Sequence, residues 1–312
     1  MKRIICILLS VFLLLSCLAG CNEKEKQNDK LKIVATVFPP YDFARAIAGD
    51  KAQVSMLIRP GSESHTFEPT PTDMKKAEEC DVFISLGGES EDWAQRLIEA
   101  SSNTNRTTVV LNDTVTLLEA HSGEEHHHHS SEHNHNHEHD EHIWTSPLNA
   151  IKMSQAVFSA LCEKDPENKE YYTANFNALK KELTLLDESL RNVTEQGNKK
   201  EIVFGDRFPF LYLVKEYLIE YHAAFPGCAE QTEPDVNTLI ELIEHIKEKN
   251  ITTVFYTEFS SGKIADMLCS ETSANKALLH SCHNVTREEW ESGETYVGLM
   301  KNNIENLKIA LK

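Results

Sequence analysis

The stretch Leu31–Gly49, LKIVATVFPPYDFARAIAG, decides the fold. Lys32–Val37 is rich in β-branched residues and stops at Pro39-Pro40, after which Tyr41–Ala48 has helical spacing and closes on Gly49. A short apolar strand followed at once by a helix opens a βα unit. Further along, Ala52–Ile58, Asp81–Leu86 and Thr107–Leu111 are apolar runs suited to buried parallel strands. Helical stretches lie between them at Pro71–Glu79, with Thr70 or Thr72 as cap, and at Asp92–Ala100. The alternation restarts with a strand at Glu201–Gly205 and helices at Pro209–Ile219 and Pro234–Lys249. A strand at Ile251–Thr257, a helix at Ser260–Cys269, a strand at Leu278–Cys282 and a helix at Thr295–Leu311 follow. The expected fold class is therefore α/β, with two βα lobes around mainly parallel sheets.

What separates the lobes is different in kind. Glu119–His142 holds ten of the chain's 15 histidines and seven acidic residues, with no Lys or Arg. Such a segment cannot bury apolar surface and reads as a loop. After it, Ser154–Cys162 and Asn168–Val193 are helical, with Asp165-Pro166 as the break. The second helix is unusually long, and Phe176, Leu179, Leu183, Leu186 and Leu190 form its apolar stripe.

At the N-terminus, Lys2 and Arg3 precede the apolar run Ile4–Ala19. That run is shorter than the roughly twenty residues a membrane-spanning helix needs, so it reads as a secretory signal. It closes on Leu18-Ala19-Gly20-Cys21, which resembles the lipobox of bacterial lipoproteins and implies lipidation of Cys21. The expected organisation is a signal peptide over 1–20, a tether over 21–30, and an N-terminal lobe over 31–147 containing the histidine loop 119–142. A helical connector over 148–199 and a C-terminal lobe over 200–312 complete it. Beyond Cys21, five cysteines (Cys80, Cys162, Cys228, Cys269 and Cys282) are too odd in number for a full disulfide framework, and one bridge among the last three is left open.

The formal charge is −18, and it becomes −20 once Lys2 and Arg3 are removed. So acidic a chain has no basic face for nucleic acid. No Gly-x-Ser-x-Gly, Walker loop or His-Glu-x-x-His is present, so hydrolase, NTPase and zinc-protease chemistry lack their local motifs.

Ligands of parallel sheets bind beyond the carboxyl ends of the strands. His65, His142, Asp206, Glu258, His280 and His283 are the polar residues placed just after strands or at the end of the acidic loop. Imidazoles and carboxylates converging from two lobes form a donor set suited to Zn²⁺. Of the remaining histidines outside the tract, His222 and His245 receive no role. Trp93, Trp144 and Trp290 read as packing residues, with Trp144 close enough in sequence to His142 to wall a cleft.

Two of these segments carry a family resemblance. Pro60–Pro71, with His65-Thr-Phe-Glu-Pro, and Asp140–Pro147, with His142-Ile-Trp, resemble the metal-ligand segments of ZnuA/TroA-type solute-binding lipoproteins of metal ABC transporters. The resemblance implies two lobes, each around a four-stranded sheet, joined by one long rigid helix, with His65 and His142 as metal ligands. It also implies an ABC permease and ATPase as partners, and a monomer anchored by lipid on the extracytoplasmic face of the cell membrane. At the position where many zinc members carry a third histidine this chain has Arg207, which cannot ligate, and Asp206 is the expected replacement. His283 is the expected fourth ligand, with His280 and Glu258 as a further ligand or supporting groups. His121, His126, His127, His128, His129, His133, His135, His137 and His139 form an expected low-affinity metal loop.

The function expected is a non-enzymatic Zn²⁺ receptor for an ABC importer. A Mn²⁺ receptor, a surface zinc-buffering adhesin and a zinc hydrolase using Glu258 as base are the rivals; the wealth of imidazole argues against Mn²⁺. Because imidazole binds metal only when neutral, affinity is expected to fall as pH drops through about 6.5. Metal titrations at stepped pH check this, and a flat profile would remove histidine from the binding set.

Overall fold

The computed structural model describes residues 30–62, 67–120, 139–225 and 234–312. Cys21, His65, the tract histidines from His121 to His137, and Cys228 lie outside the described residues; His139 lies within them. Residues 31–312 form one compact unit. Among the described residues no helix is long and apolar enough to cross a membrane.

The first lobe runs β1 (Leu31–Ala35), α1 (Phe38–Ala48), β2 (Ala52–Met56), α2 (Pro71–Glu79), β3 (Val82–Ser85), α3 (Asp92–Glu99) and β4 (Thr107–Val110). Helix α4 (Pro147–Lys164) and the 28-residue α5 (Lys169–Gln196) follow, separated by a single turn of 3-10 helix at Pro166–Asn168. The second lobe runs β5 (Glu201–Phe204), α6 (Leu211–Tyr217), β6 (Glu220–Ala223), α7 (Val236–Lys249), β7 (Thr253–Tyr256), α8 (Lys263–Ser270), β8 (Asn275–Leu278), α9 (Arg287–Ser292) and α10 (Tyr296–Ala310). Both sheets are four-stranded and parallel, in the orders β2-β1-β3-β4 and β6-β5-β7-β8, so the two lobes repeat one topology. In each, the chain reverses its direction of travel between the two central strands, which is where such sheets open a crevice at their carboxyl edge.

Several boundaries differ from the sequence reading, each for a local reason. Helix α1 begins at Phe38 and takes both prolines into its first turn, where a missing N–H breaks no helical bond. Helix α6 begins at Leu211 rather than Pro209. The last strand is Asn275–Leu278, not Leu278–Cys282. Leu279 and Cys282 are fully buried in the shared core, which explains their apolar character, and Cys282, at φ 61°, cannot continue an extended strand. Strands β6 and β8 are the edges of their sheet, so their polar sequences EYHA and NKAL carry little strand signal, and β6 is absent from the sequence reading. Helix α9 was likewise not foreseen, although Thr286 and Glu289 close a full capping box at its start. Cys80, Cys162, Cys269 and Cys282 are all free thiols, so Cys269 and Cys282 form no bridge with each other.

One hydrophobic core runs through both lobes. It takes in Ile33, Phe83 and Ile84 from the first sheet, Leu183, Leu186 and Leu190 from α5, and Phe204, Phe255 and Leu279 from the second lobe. Helix α5, about 42 Å long at 1.5 Å per residue, packs on α1, α4 and α10. A smaller second core, with Val203, Leu242, Ile246, Val254 and Leu268, lies where α7 and α8 cover the second sheet.

The crevice of the first lobe is closed by Glu91. Its carboxylate accepts the backbone N–H of Leu86 at 2.7 Å and of Gly87 at 3.2 Å, just beyond β3. Burial, opposed by these bonds, pushes its pKa up to about 7, and the neighbouring Glu141 adds to the rise. A carboxyl raised in the folded state favours folding below its unfolded value, near 4.5, and that advantage disappears as pH rises through about 7. Glu91→Gln keeps a hydrogen-bond acceptor and removes the titration. Between pH 5 and 8 the wild type should therefore lose on the order of 3 kcal/mol relative to this variant. Parallel denaturation profiles of the two proteins would refute it.

Candidate metal centre

Three segments of the second lobe meet at the carboxyl edge of its sheet. Gly205 follows β5 and lies against α8, where a Cβ would sit 2.6 Å from the Ala265 backbone, so only glycine lets the helix come this close. The next residue, Asp206, is buried at the reversal point between β5 and β7. One carboxylate oxygen accepts the Arg207 N–H at 2.8 Å; the other accepts Thr257 N–H at 3.0 Å and Thr257 Oγ1–H at 2.8 Å. The adjoining Glu258 accepts Ser281 N–H at 2.8 Å and Ser281 Oγ–H at 2.6 Å. Carboxylates thus stitch the loops after β5, β7 and β8 to one another.

The turn His280–His283 is shaped by bonds on both sides. Asn303 of α10, itself buried, accepts His280 N–H at 2.7 Å and donates to the His280 carbonyl at 2.8 Å. His280 Nδ1 accepts Cys282 N–H at 2.9 Å, and Nε2 faces Glu289 at 3.4 Å. Both nitrogens of His280 are therefore engaged inside the fold, with Glu289 held down to about 2 by the bond from His280. Cys282 takes the left-handed conformation that favours glycine, and His283 follows it, buried, with its N–H on Ser281 Oγ at 3.1 Å.

The first lobe contributes Asp140–Trp144. Asp140 accepts the His142 backbone N–H at 2.9 Å and lies 3.1 Å from His142 Nδ1. Burial alone would raise the Asp140 carboxyl, but the charge and hydrogen bonds of His142 hold it below the usual carboxylate range. A carboxylate at Nδ1 fixes the proton there and makes Nε2 the electron-pair donor of the ring. Glu141 accepts from Ser90 N–H at 2.9 Å and from its hydroxyl, and Tyr212 O–H donates to the Asp140 carbonyl at 2.8 Å.

These pieces bring His142 and His283 together. Their ring centres are 5.7 Å apart with planes at 87°, and the indole of Trp144 lies 5.3 Å from the first and 4.8 Å from the second. Two imidazoles sharing a tetrahedral Zn²⁺ at about 2.0 Å per bond place their ring centres roughly 5 Å apart, so this spacing suits a common cation. His65 lies outside the described residues, but the chain just before it is fastened to the same turn. Asn284 Nδ2 donates to the carbonyls of Arg59 and Ser62, each at 2.8 Å, and Gly61 N–H donates to Val285 O at 2.7 Å. Asp206 is tied to the loop of Thr257 and Glu258, and Glu258 in turn to Ser281, whose hydroxyl accepts His283 N–H.

Trp93 and Trp144 are buried as packing residues should be, whereas Trp290 is half-exposed and rests on Tyr41 with ring centres 4.9 Å apart. A separate group went unnoticed in the sequence. Glu201, His222 and His245 bring one ligand atom each within 4.8 Å of one another. The signal that would have found it is strand β6, whose register sets His222 beside Val203, two residues from Glu201.

The family model described as ZnuA, zinc-uptake complex component A, periplasmic, matches residues 33–310. The high-affinity zinc uptake system protein ZnuA of Bacillus subtilis (strain 168) is 32% identical over 310 residues, covering 98% of this chain and 96% of its own length. The zinc-binding lipoprotein AdcA of Streptococcus pneumoniae serotype 4 is 30% identical over 308 residues, and the match spans 99% of this chain but 61% of AdcA. The crystal structure of the Zn(II)-bound ZnuA-like domain of Streptococcus pneumoniae AdcA superposes with a TM-score of 0.75 at 28% identity, over 90% of this chain and 99% of that one.

If Asp140 orients the His142 ring, Asp140→Asn should weaken metal binding about 10- to 100-fold while leaving the fold intact. Calorimetric titration with a circular-dichroism control checks it; unchanged affinity would leave Asp140 a purely structural residue.

Proposed function

The chain belongs to the ZnuA family of zinc-uptake components, and from that premise we propose that it is a lipid-anchored, extracytoplasmic receptor. It captures Zn²⁺ with high affinity between its lobes and delivers the ion to the permease and ATPase of an ABC importer. In this reading Cys21 carries the anchor, and His65, His142, Asp206 and His283 hold the ion. The observation that supports it best is the approach of two buried imidazoles from different lobes, one already oriented by a carboxylate. Neutral imidazole with a carboxylate suits a borderline cation, and the Zn(II) relatives share the whole length of the lobes. The family consists of transport components and not enzymes, which sets aside the hydrolase reading.

The chemistry of capture follows from the surroundings. An ion entering between Asp206 and the imidazoles exchanges its water for donors whose geometry is already fixed by Thr257, Ser281 and Asp140, so little ordering is left to oppose binding. The shared core beneath the site limits the response to a small rocking or to loop ordering.

Titration of the mature chain with Zn²⁺ and Mn²⁺, with and without residues 121–137, tests the assignment. Zn²⁺ should bind tighter than Mn²⁺ in both proteins, and His142→Ala or His283→Ala should cost on the order of a hundredfold or more. Tighter Mn²⁺ binding at neutral pH, or full affinity after His65→Ala, would overturn it. Deletion of the gene should impair growth only when zinc is scarce.

A further inference from the structure

Glu201, His222 and His245 stand on three different elements: the first residue of β5, the third of β6 and the C-terminal half of α7. The Glu201 carboxylate is 2.7 Å from His245 Nε2 and 3.8 Å from His222 Nε2. The two imidazoles face each other with ring centres 3.9 Å apart at 41°. Their side chains are 17%, 41% and 21% exposed, in the order Glu201, His222, His245, so water reaches one side of the group.

We propose that this trio is a second metal site, which takes an exchangeable borderline dication such as Zn²⁺ through two imidazole nitrogens and one carboxylate oxygen, with water completing the shell. Nitrogen and oxygen atoms bound to one tetrahedral Zn²⁺ lie about 3.3 Å apart, and the two observed separations bracket that value. The two ring centres, 3.9 Å apart, must open toward roughly 5 Å for both nitrogens to point at one tetrahedral ion, a movement the half-exposed His222 side chain can supply. Burial first, and then the neighbouring His245, hold His222 below its ordinary pKa, so the ring is neutral at neutral pH and needs to shed no proton. Glu220 and Lys249 also lie close enough to His222 to act on its charge, in opposite senses.

The trio is distinct from the candidate centre described above. Glu201 precedes Asp206 by five residues along β5, on the order of 15 Å at 3.3 Å per residue, toward the amino edge of the sheet. One ion cannot serve both. An ion here would also pin α7 to β5 and β6 beside the smaller core. The inference does not rest on the receptor reading, since it uses none of the residues assigned to it.

The test is Zn²⁺ alone added to the intact mature chain, followed through the imidazole nitrogen resonances by NMR. After the first equivalent is bound, the His222 and His245 nitrogens should shift together. In His245→Gln and in Glu201→Gln the His222 shift should require about tenfold more Zn²⁺ or vanish, with the first equivalent bound as before. His222→Asn, changed at a half-exposed side chain and read through the His245 nitrogens instead, serves should the other variants fail to fold. If His222 and His245 do not move at Zn²⁺ concentrations that shift the tract histidines, or if Glu201→Gln leaves their response unchanged, the trio is a hydrogen-bonded cluster only and the inference fails.

Discussion

The indole of Trp144 donates its proton to the Ser281 carbonyl at 2.7 Å, and the arrangement of the candidate centre depends on that bond. Trp144 is fully buried and comes from the segment that ends the acidic loop; Ser281 comes from the turn after the last strand. The bond therefore sets His142 of one lobe against His283 of the other. It is itself held: Tyr296 O–H of α10 donates to the Trp144 carbonyl at 2.6 Å, and Asp42 of α1 accepts Tyr296 N–H at 2.9 Å. A chain of buried hydrogen bonds thus runs from the first helix to the last and passes directly beneath the two imidazoles. Removing any buried partner would leave the others unsatisfied, which is why such a chain fixes geometry more firmly than its individual bonds suggest.

Around this frame, acidic residues do most of the local positioning. Asp206 binds the loop after β7, Glu258 binds the turn after β8, and Asp140 orients a ring. Glu91 performs the corresponding task at the crevice of the first lobe. Each accepts a backbone N–H of a loop or turn that has no ladder partner, so the same carboxylates satisfy the backbone and place negative charge along the crevice.

The sequence made the architecture legible wherever strands are buried on both faces. β1, β3, β5 and β7 are short β-branched or aromatic runs, and each was found within a residue or two of its place. The edges of the second sheet were harder to read than β2 and β4, the edges of the first, because Glu220–Ala223 and Asn275–Leu278 are partly exposed and carry polar side chains. The loss of β6 hid His222 as well, for without a strand no register connects it to Glu201. At the candidate centre, the residues around His142 stood out in the sequence, and the fold sets the His142 and His283 rings side by side. That His280 turns its nitrogens inward could not be foreseen. It follows from the left-handed Cys282 and from Asn303, which is 23 residues away and reaches the turn only in three dimensions.

The core that both lobes share has an electrostatic consequence. Two bodies welded through Leu183, Phe204 and Phe255 have little freedom to alter their outline when a cation enters between them. On the proposed reading, capture adds two positive charges to a crevice whose loops are held by carboxylates, in a chain whose overall charge is strongly negative. The empty and loaded states then differ chiefly in the potential around the crevice mouth. A surface that docks there can discriminate between them by charge, at nearly constant shape, and that discrimination weakens as salt screens the field.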